Sequence, residues 1–360
     1  MNRDELERAL REAEVPDAVA ARERARRTVL AAHRPSPRRP RLSLVVAAVA
    51  VALTALVFSA RDTGPARALE RRVREVFVAP TPTPTATPAA LAGRLLVTDG
   101  HELFLLRGEK RTALGPWRDA TWSPRGLFIG VASGSTLAAI EPDGTVRWRL
   151  RRPAPVRFPR WAPGGLHIAY RSGGNLRIVY GNGEHDVVAG RGMAPVPPAW
   201  RPNHPRTVAW AAQDGAITVE DADTAQRQWW HRDGPVRHLA WSPDGRRLLV
   251  AGRRTVTIHD VATGKRTRTR HAGEVVAVAW GAGGLAVAAL RAGTTTVSVD
   301  GERVLTAPGR LRDLEWSPDG RRLLAGWPGA DHWLVVRGDE VSAVRHRFAP
   351  DARTRGWVTR

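Results

Sequence analysis

The apolar pattern divides the chain into stretches of different kinds. Residues 42–60, LSLVVAAVAVALTALVFSA, carry no charge, no Pro and no Gly. As a helix, this segment reaches about 28 Å, close to the roughly 30 Å of bilayer hydrocarbon. Ser43, Thr54 and Ser59 can return their hydroxyls to backbone carbonyls, so they do not interrupt a membrane span. Ahead of it, residues 3–14 and 17–32 read as two helix-like stretches separated around Pro16, with Leu6, Leu10 and Ala13 on one face of the first. Behind it, residues 65–78 again read helical, with Leu69, Val73, Val76 and Phe77 facing one way. From residue 91 the helical period disappears. Short apolar runs such as RLLVTDG, LHIAYRS and TVTIHDV alternate with turns rich in Gly, Pro and Asp, the pattern of strands.

Those strands fall into a repeat. Its marker is a Trp followed by a turn: WSPRG at 122–126, WAPGG at 161–165, WRPNH at 200–204, WSPDG at 241–245, WGAGG at 280–284 and WSPDG at 316–320. The steps between Trp122, Trp161, Trp200, Trp241, Trp280 and Trp316 are 39, 39, 41, 39 and 36 residues. In the two fullest turns Pro presets φ, Asp244 and Asp319 can bond the local backbone, and Gly245 and Gly320 supply the positive φ that closes a hairpin. Each Trp ends one strand, two further strands follow, and a more polar fourth runs outward. Four short strands per unit with no helical period describe a propeller blade. Residues 94–114 hold three strands with no Trp strand before them, whereas TRGWVTR at 354–360 supplies one Trp strand, around Trp357, with nothing after it. The two pieces complete each other, which predicts an all-β, seven-bladed propeller over 91–360. Six blades, with 94–114 as a capping hairpin, is the alternative.

The repeat resembles the units of TolB-type and WD-repeat-like propellers, whose Ser-Pro-Asp-Gly turn stands at Ser242–Gly245 and Ser317–Gly320. Residues 231–271 are the most similar to a WD repeat proper, with Asp260 at the terminal position but Ile258-His259 in place of the usual aromatic. The layout as a whole is similar to membrane-anchored propeller proteins of GC-rich actinobacteria. The resemblance implies a fold and an interaction role, but no reaction, because propellers host many functions.

Charge orients the anchor. Arg34, Arg38, Arg39 and Arg41 crowd its N-terminal flank, which places residues 1–41 as a cytoplasmic basic tail and residues 61–360 outside the plasma membrane. A cleaved signal peptide is the rival, with Ala66-Arg67-Ala68 as its site. Residues 79–90, APTPTPTATPAA, favour extended polyproline-like backbone, so 61–90 forms a juxtamembrane helix and a Pro/Thr-rich stalk. The net charge of +21 suggests a nucleic-acid partner at first sight. Yet all basic residues but Lys110 and Lys265 are Arg, and no run of five or six like charges marks a binding arm. A diffuse arginine shell is the expectation, without nucleic acid.

Candidate chemistry is sparse. Cys is absent, which excludes disulfides and thiolate ligands. No G-x-S-x-G elbow, H-x-H, H-E-x-x-H or calcium loop occurs, so neither a catalytic residue, a metal nor a cofactor is expected. His185-Asp186 and His259-Asp260 are isolated pairs at turns, and no acidic or His constellation points to a lyase or lactonase on the axis. Trp229, Trp230, Trp327 and Trp333 lie outside the marker position and are the binding candidates wherever they are exposed, with inter-blade core as the other role open to them. The expected function is a membrane-anchored, extracytoplasmic module binding a protein or envelope ligand through its axial face. The alternative is a transmembrane sensor, similar in layout to anti-sigma proteins, whose tail binds a cytoplasmic regulator.

Overall fold

The structure is a computed structural model and describes residues 91–345, 348–349 and 351–359. The tail, the apolar stretch 42–60 and the stalk lie outside the described residues. Among those described, no helix is long and apolar enough to cross a membrane.

Seven four-stranded antiparallel sheets follow one another along the chain. In each, the strand that carries the marker Trp, or its equivalent, forms one edge of the sheet. These first strands are Arg353–Val358, Asp119–Trp122, Val156–Trp161, Ala199–Trp200, His238–Trp241, Glu274–Gly281 and Arg312–Trp316. Each touches the next and the last touches the first, so they form a closed ring around an axis. The first blade joins Arg353–Val358 to Arg94–Thr98, Leu103–Arg107 and Lys110–Gly115, with Leu95 opposite Trp357. Residues 94–114 are therefore three strands of a blade and not a capping hairpin, and seven blades replace the six-blade alternative.

The apolar core is not central. It is split into seven clusters, one in each wedge between neighbouring blades. Alternation along a strand explains this division. In the fifth blade Leu248 and Val250 pack toward the fourth, whereas Leu249 and Ala251 pack toward the sixth. Inner strands are thus buried on both faces, which is why they read as continuous apolar runs. The outermost strands lose this character: Arg266–Arg270 is exposed at every position, and Val146–Arg151 alternates half-buried and exposed residues. Arginine on such open edges discourages pairing with another sheet, which gives the charge excess a structural role.

The marker Trp residues join blades. The indole N–H of Trp200 donates to the carbonyl of Arg160 at 2.8 Å, that of Trp241 to Ala199 at 3.0 Å, and that of Trp122 to Gly356 at 3.2 Å. In all three the acceptor is the residue just before the preceding blade's Trp. Trp357 donates to Ala92 at 2.8 Å, and Trp161 turns back to Gly165 in its own turn at 2.9 Å. Trp316 instead lies flat against the backbone of Gly281 and Gly283, where a Cβ would come within 2.7 and 2.4 Å of its ring. Trp280 is half-buried and packs beside the cluster between the fifth and sixth blades.

Candidate functional site

The first strands carry charge toward the axis that the isolated motifs did not announce. Arg355 reaches Asp119 at 3.3 Å, and Arg353 holds Asp313 through both carboxylate oxygens at 2.7–2.8 Å. Asp119 also accepts from the amide nitrogens of Ala120 (3.0 Å) and Phe158 (2.9 Å). Sequence order places these groups far apart; the ring brings them together. Backbone irregularity aims them. Register slips lie between Arg157 and Arg160 and between Arg312 and Glu315, and Phe158 and Asp313 adopt left-handed φ of 56° and 50°. Such bulges re-aim side chains at the cost of ladder bonds.

Glu315, Arg160 and His238 complete the axial set. Burial pushes the Glu315 carboxyl up to about 7, and the neighbouring Asp313 carboxylate adds to the shift. Burial lowers the Arg160 guanidinium, opposed by Asp119 and Glu315. Burial lowers His238 to about 4, with Arg237 and Arg353 acting in the same direction. Charged groups from several first strands are thus brought together at the ring, an arrangement that the isolated motifs did not show. Its two aspartates are fully engaged by arginine, so it clips the closing strand Arg353–Val358 to the blades on either side. Among the described residues no three His, Asp or Glu side chains converge closely enough to hold a metal ion. Asp186 is occupied as well, by Tyr170, Arg177 and Arg152 at 2.5–2.7 Å.

A different kind of site lies off the axis, between the second and third blades. A groove of about 810 Å³ is lined by Phe128, Trp148, Trp161, Leu166, Tyr180 and His167, with Arg147, Asn182 and Asp223 among its polar groups. The residues come from turns and strand ends: Phe128 and Leu166 precede second strands, Tyr180 ends a third, and Arg147 and Trp148 lie on an outer fourth. Trp148 is fixed by its N–H to the Gly181 carbonyl at 2.8 Å, and a Cβ on Gly183 would come within 2.8 Å of its ring. His167 is held by Asp223 at 2.8 Å and meets Tyr180 edge-on at a centroid distance of 5.2 Å. Leu166 is 65% exposed and Tyr180 41%, so this rim shows apolar side chains to solvent. A concave, aromatic wall with a few placed polar groups is the form of a binding site.

The candidate Trp residues separate. Trp333 is buried beside Phe348 and takes the inter-blade role. Trp327 is half-buried and donates to the Pro308 carbonyl at 2.8 Å. Trp229 packs against the imidazoles of His231 and His259. Trp230 alone remains 48% exposed. The turn residues Asp244 and Asp319 accept from the amides of Arg246 (3.0 Å) and Arg321 (3.1 Å), with Gly245 and Gly320 at φ of 69° and 66°. Sequence reasoning missed the groove, although an apolar Leu166 directly after a Gly turn is a readable signal.

A family model described as the WD40 domain of anaphase-promoting complex subunit 4 matches residues 207–283. No curated protein matches the chain. Among solved structures the chain is similar to hydrazine synthase of Kuenenia stuttgartiensis, at 16% identity over 62% of this chain and 77% of that one, with a TM-score of 0.50. It is also similar to a chain of the mitotic checkpoint complex, at 14% identity over 74% of this chain and 97% of that one, with a TM-score of 0.54. At these identities the likeness concerns the fold. The described residues form a seven-bladed β-propeller, and the WD40 likeness is confined to residues 207–283.

Proposed function

We propose that the chain is a membrane-anchored binding module that catalyses no reaction. Residues 42–60 cross the membrane, 61–90 form the stalk, and the propeller stands outside the cell to receive an extended segment of a partner protein. The groove between the second and third blades carries this reading. Its aromatic floor suits an apolar side chain, and Asn182 and Arg147 at its edge suit the polar backbone that accompanies one. Burying an exposed leucine or tyrosine rim against a partner contributes roughly 25 cal/mol per Å² of apolar area, enough for such a site to matter.

Photo-crosslinking in intact membranes tests the binding site. A photoreactive residue at Leu166 should give a discrete protein adduct that Tyr180→Ala removes, and one at Arg268 on the exposed outer strand should give none. Identical adducts from both positions would sink the proposal. Topology has its own test, because the sequence contains no Cys. A thiol introduced at the exposed Thr267 should react with an impermeant reagent in whole cells; reaction only after lysis would reverse the orientation.

A further inference from the structure

The perimeter between the third and fourth blades holds a second cavity, independent of the groove above. It measures about 740 Å³ and is lined by Gly190, Trp210, Thr218, Glu220, Arg227 and Trp230, among others. Glu220 lies on the strand Ala216–Asp221, whose alternate residues Ala216, Thr218 and Glu220 are all buried. Its side chain is only 5% exposed, and its Oε1 has no hydrogen-bond partner among the described residues. The indole N–H of the neighbouring Trp210 points to the same carboxyl and is close enough to pull on it, but falls short of full hydrogen-bond geometry. A buried polar atom without a partner is destabilising, so its retention on a cavity wall calls for an explanation.

The mouth of the cavity adds a second observation. Trp230, which lines it, is 48% exposed on the outer strand of the fourth blade. It is one of six large apolar side chains exposed among the described residues. Carboxylate at the floor and an open indole face at the rim are complementary to one chemistry, a planar cation. An apolar group would leave Oε1 unpaired.

We propose that this cavity binds the guanidinium of an arginine side chain presented by a partner protein, with Glu220 as acceptor and Trp230 as stacking surface. The other charged groups facing the site are Arg191, Arg227 and Asp214, the last paired with Arg232 at 2.7 Å. Burial raises the Glu220 carboxyl to about 7, against the opposing pull of Trp210 and Arg227. A bound cation favours the ionised form, so binding releases a proton near neutral pH. An ionised Glu220 can draw in the Trp210 N–H and still keep Oε1 for the ligand.

Calorimetry on the full chain in detergent tests this with a blocked Gly-Arg-Gly peptide and its citrulline counterpart, a neutral isostere. The arginine peptide should bind at least about tenfold more tightly, because a charged hydrogen bond is about twice as strong as a neutral one. Its affinity should rise about tenfold from pH 6 to pH 8, following the ionised fraction of a group near 7. Buffers of different ionisation enthalpy should report proton release. Glu220→Gln should abolish both the discrimination and the pH dependence. Trp230→Ala, at an exposed position that leaves the fold intact, should weaken the arginine peptide. Equal affinity for the two peptides, pH-independent binding, full binding by Glu220→Gln, or no binding at millimolar peptide would each overturn the proposal.

Discussion

Replacing Glu315 by Gln makes a quantitative test of the axial clip. A carboxyl with an ordinary value of 4.5 that titrates at about 7 in the fold resists ionisation there. Each pH unit between the two values is worth about 1.4 kcal/mol, so the whole window is worth about 3 kcal/mol. Because Glu315 keeps partial access to solvent, that figure is an upper bound. The sign follows from proton binding. Below about pH 4.5 Glu315 is protonated in both folded and unfolded chains, and its contribution to stability is at its greatest. As pH rises toward 7 the unfolded chain ionises first, and that contribution is lost; above 7 it stays level. Gln is uncharged throughout and imitates the protonated side chain. Urea unfolding of wild type and Glu315→Gln at several values from pH 4.5 to 8 should give curves that diverge by up to about 3 kcal/mol, the variant being the more stable at pH 8. The raised Glu220 carboxyl is common to both proteins and cancels in the difference. Parallel curves would show that Glu315 ionises as freely in the fold as in the unfolded chain.

Other perturbations probe the seams between blades. Trp357→Ala empties a buried site and should cost about 3–5 kcal/mol in urea unfolding, whereas Trp230→Ala at the exposed rim should stay within about 0.5 kcal/mol. Gly283→Ala drives a Cβ to 2.4 Å from both the Gly320 carbonyl and the Trp316 ring, and thermal unfolding should register a loss of about 1–3 kcal/mol. Gly338→Ala meets nothing within 4 Å and should show only the roughly 1–2 kcal/mol strain of its φ of 57°. Trp241→Phe removes the bond to Ala199 and also part of a buried indole, and should cost about 2–3 kcal/mol.

The fold was legible because a Trp recurs at the blade period, in three blades reaching the carbonyl before the previous Trp. The turn after it needs a residue free to adopt positive φ at Gly245 and Gly320. Trp357 was readable for the same reason, as a first strand with no blade behind it. The axial set was not, since its charges come one or two per strand, as in DATW, RDLEW and TRGW, and only ring closure makes them neighbours. The groove is likewise assembled from turns and strand ends of adjacent blades. Glu220 was hidden differently. In AITVED it alternates with Thr218 as if on a wet face, but inner strands here have no wet face. Of the exposed-Trp candidates only Trp230 stayed open, because the others lie over seams that an indole fills.

The closing strand also sets a timetable. The bond from Trp357 to Ala92 spans 265 residues, so the first blade cannot be completed until nearly the whole propeller has been made. Until then Arg94–Thr98 presents a bare edge, and contacts so distant in sequence form slowly. A copy cut short before residue 353 keeps that edge permanently, and the closing strand of an intact copy fits it in register, a route to exchanged dimers. The architecture therefore distinguishes finished chains from unfinished ones: only a molecule carrying both partners of that seam can seal itself, and the rest remain recognisable by what they leave unpaired.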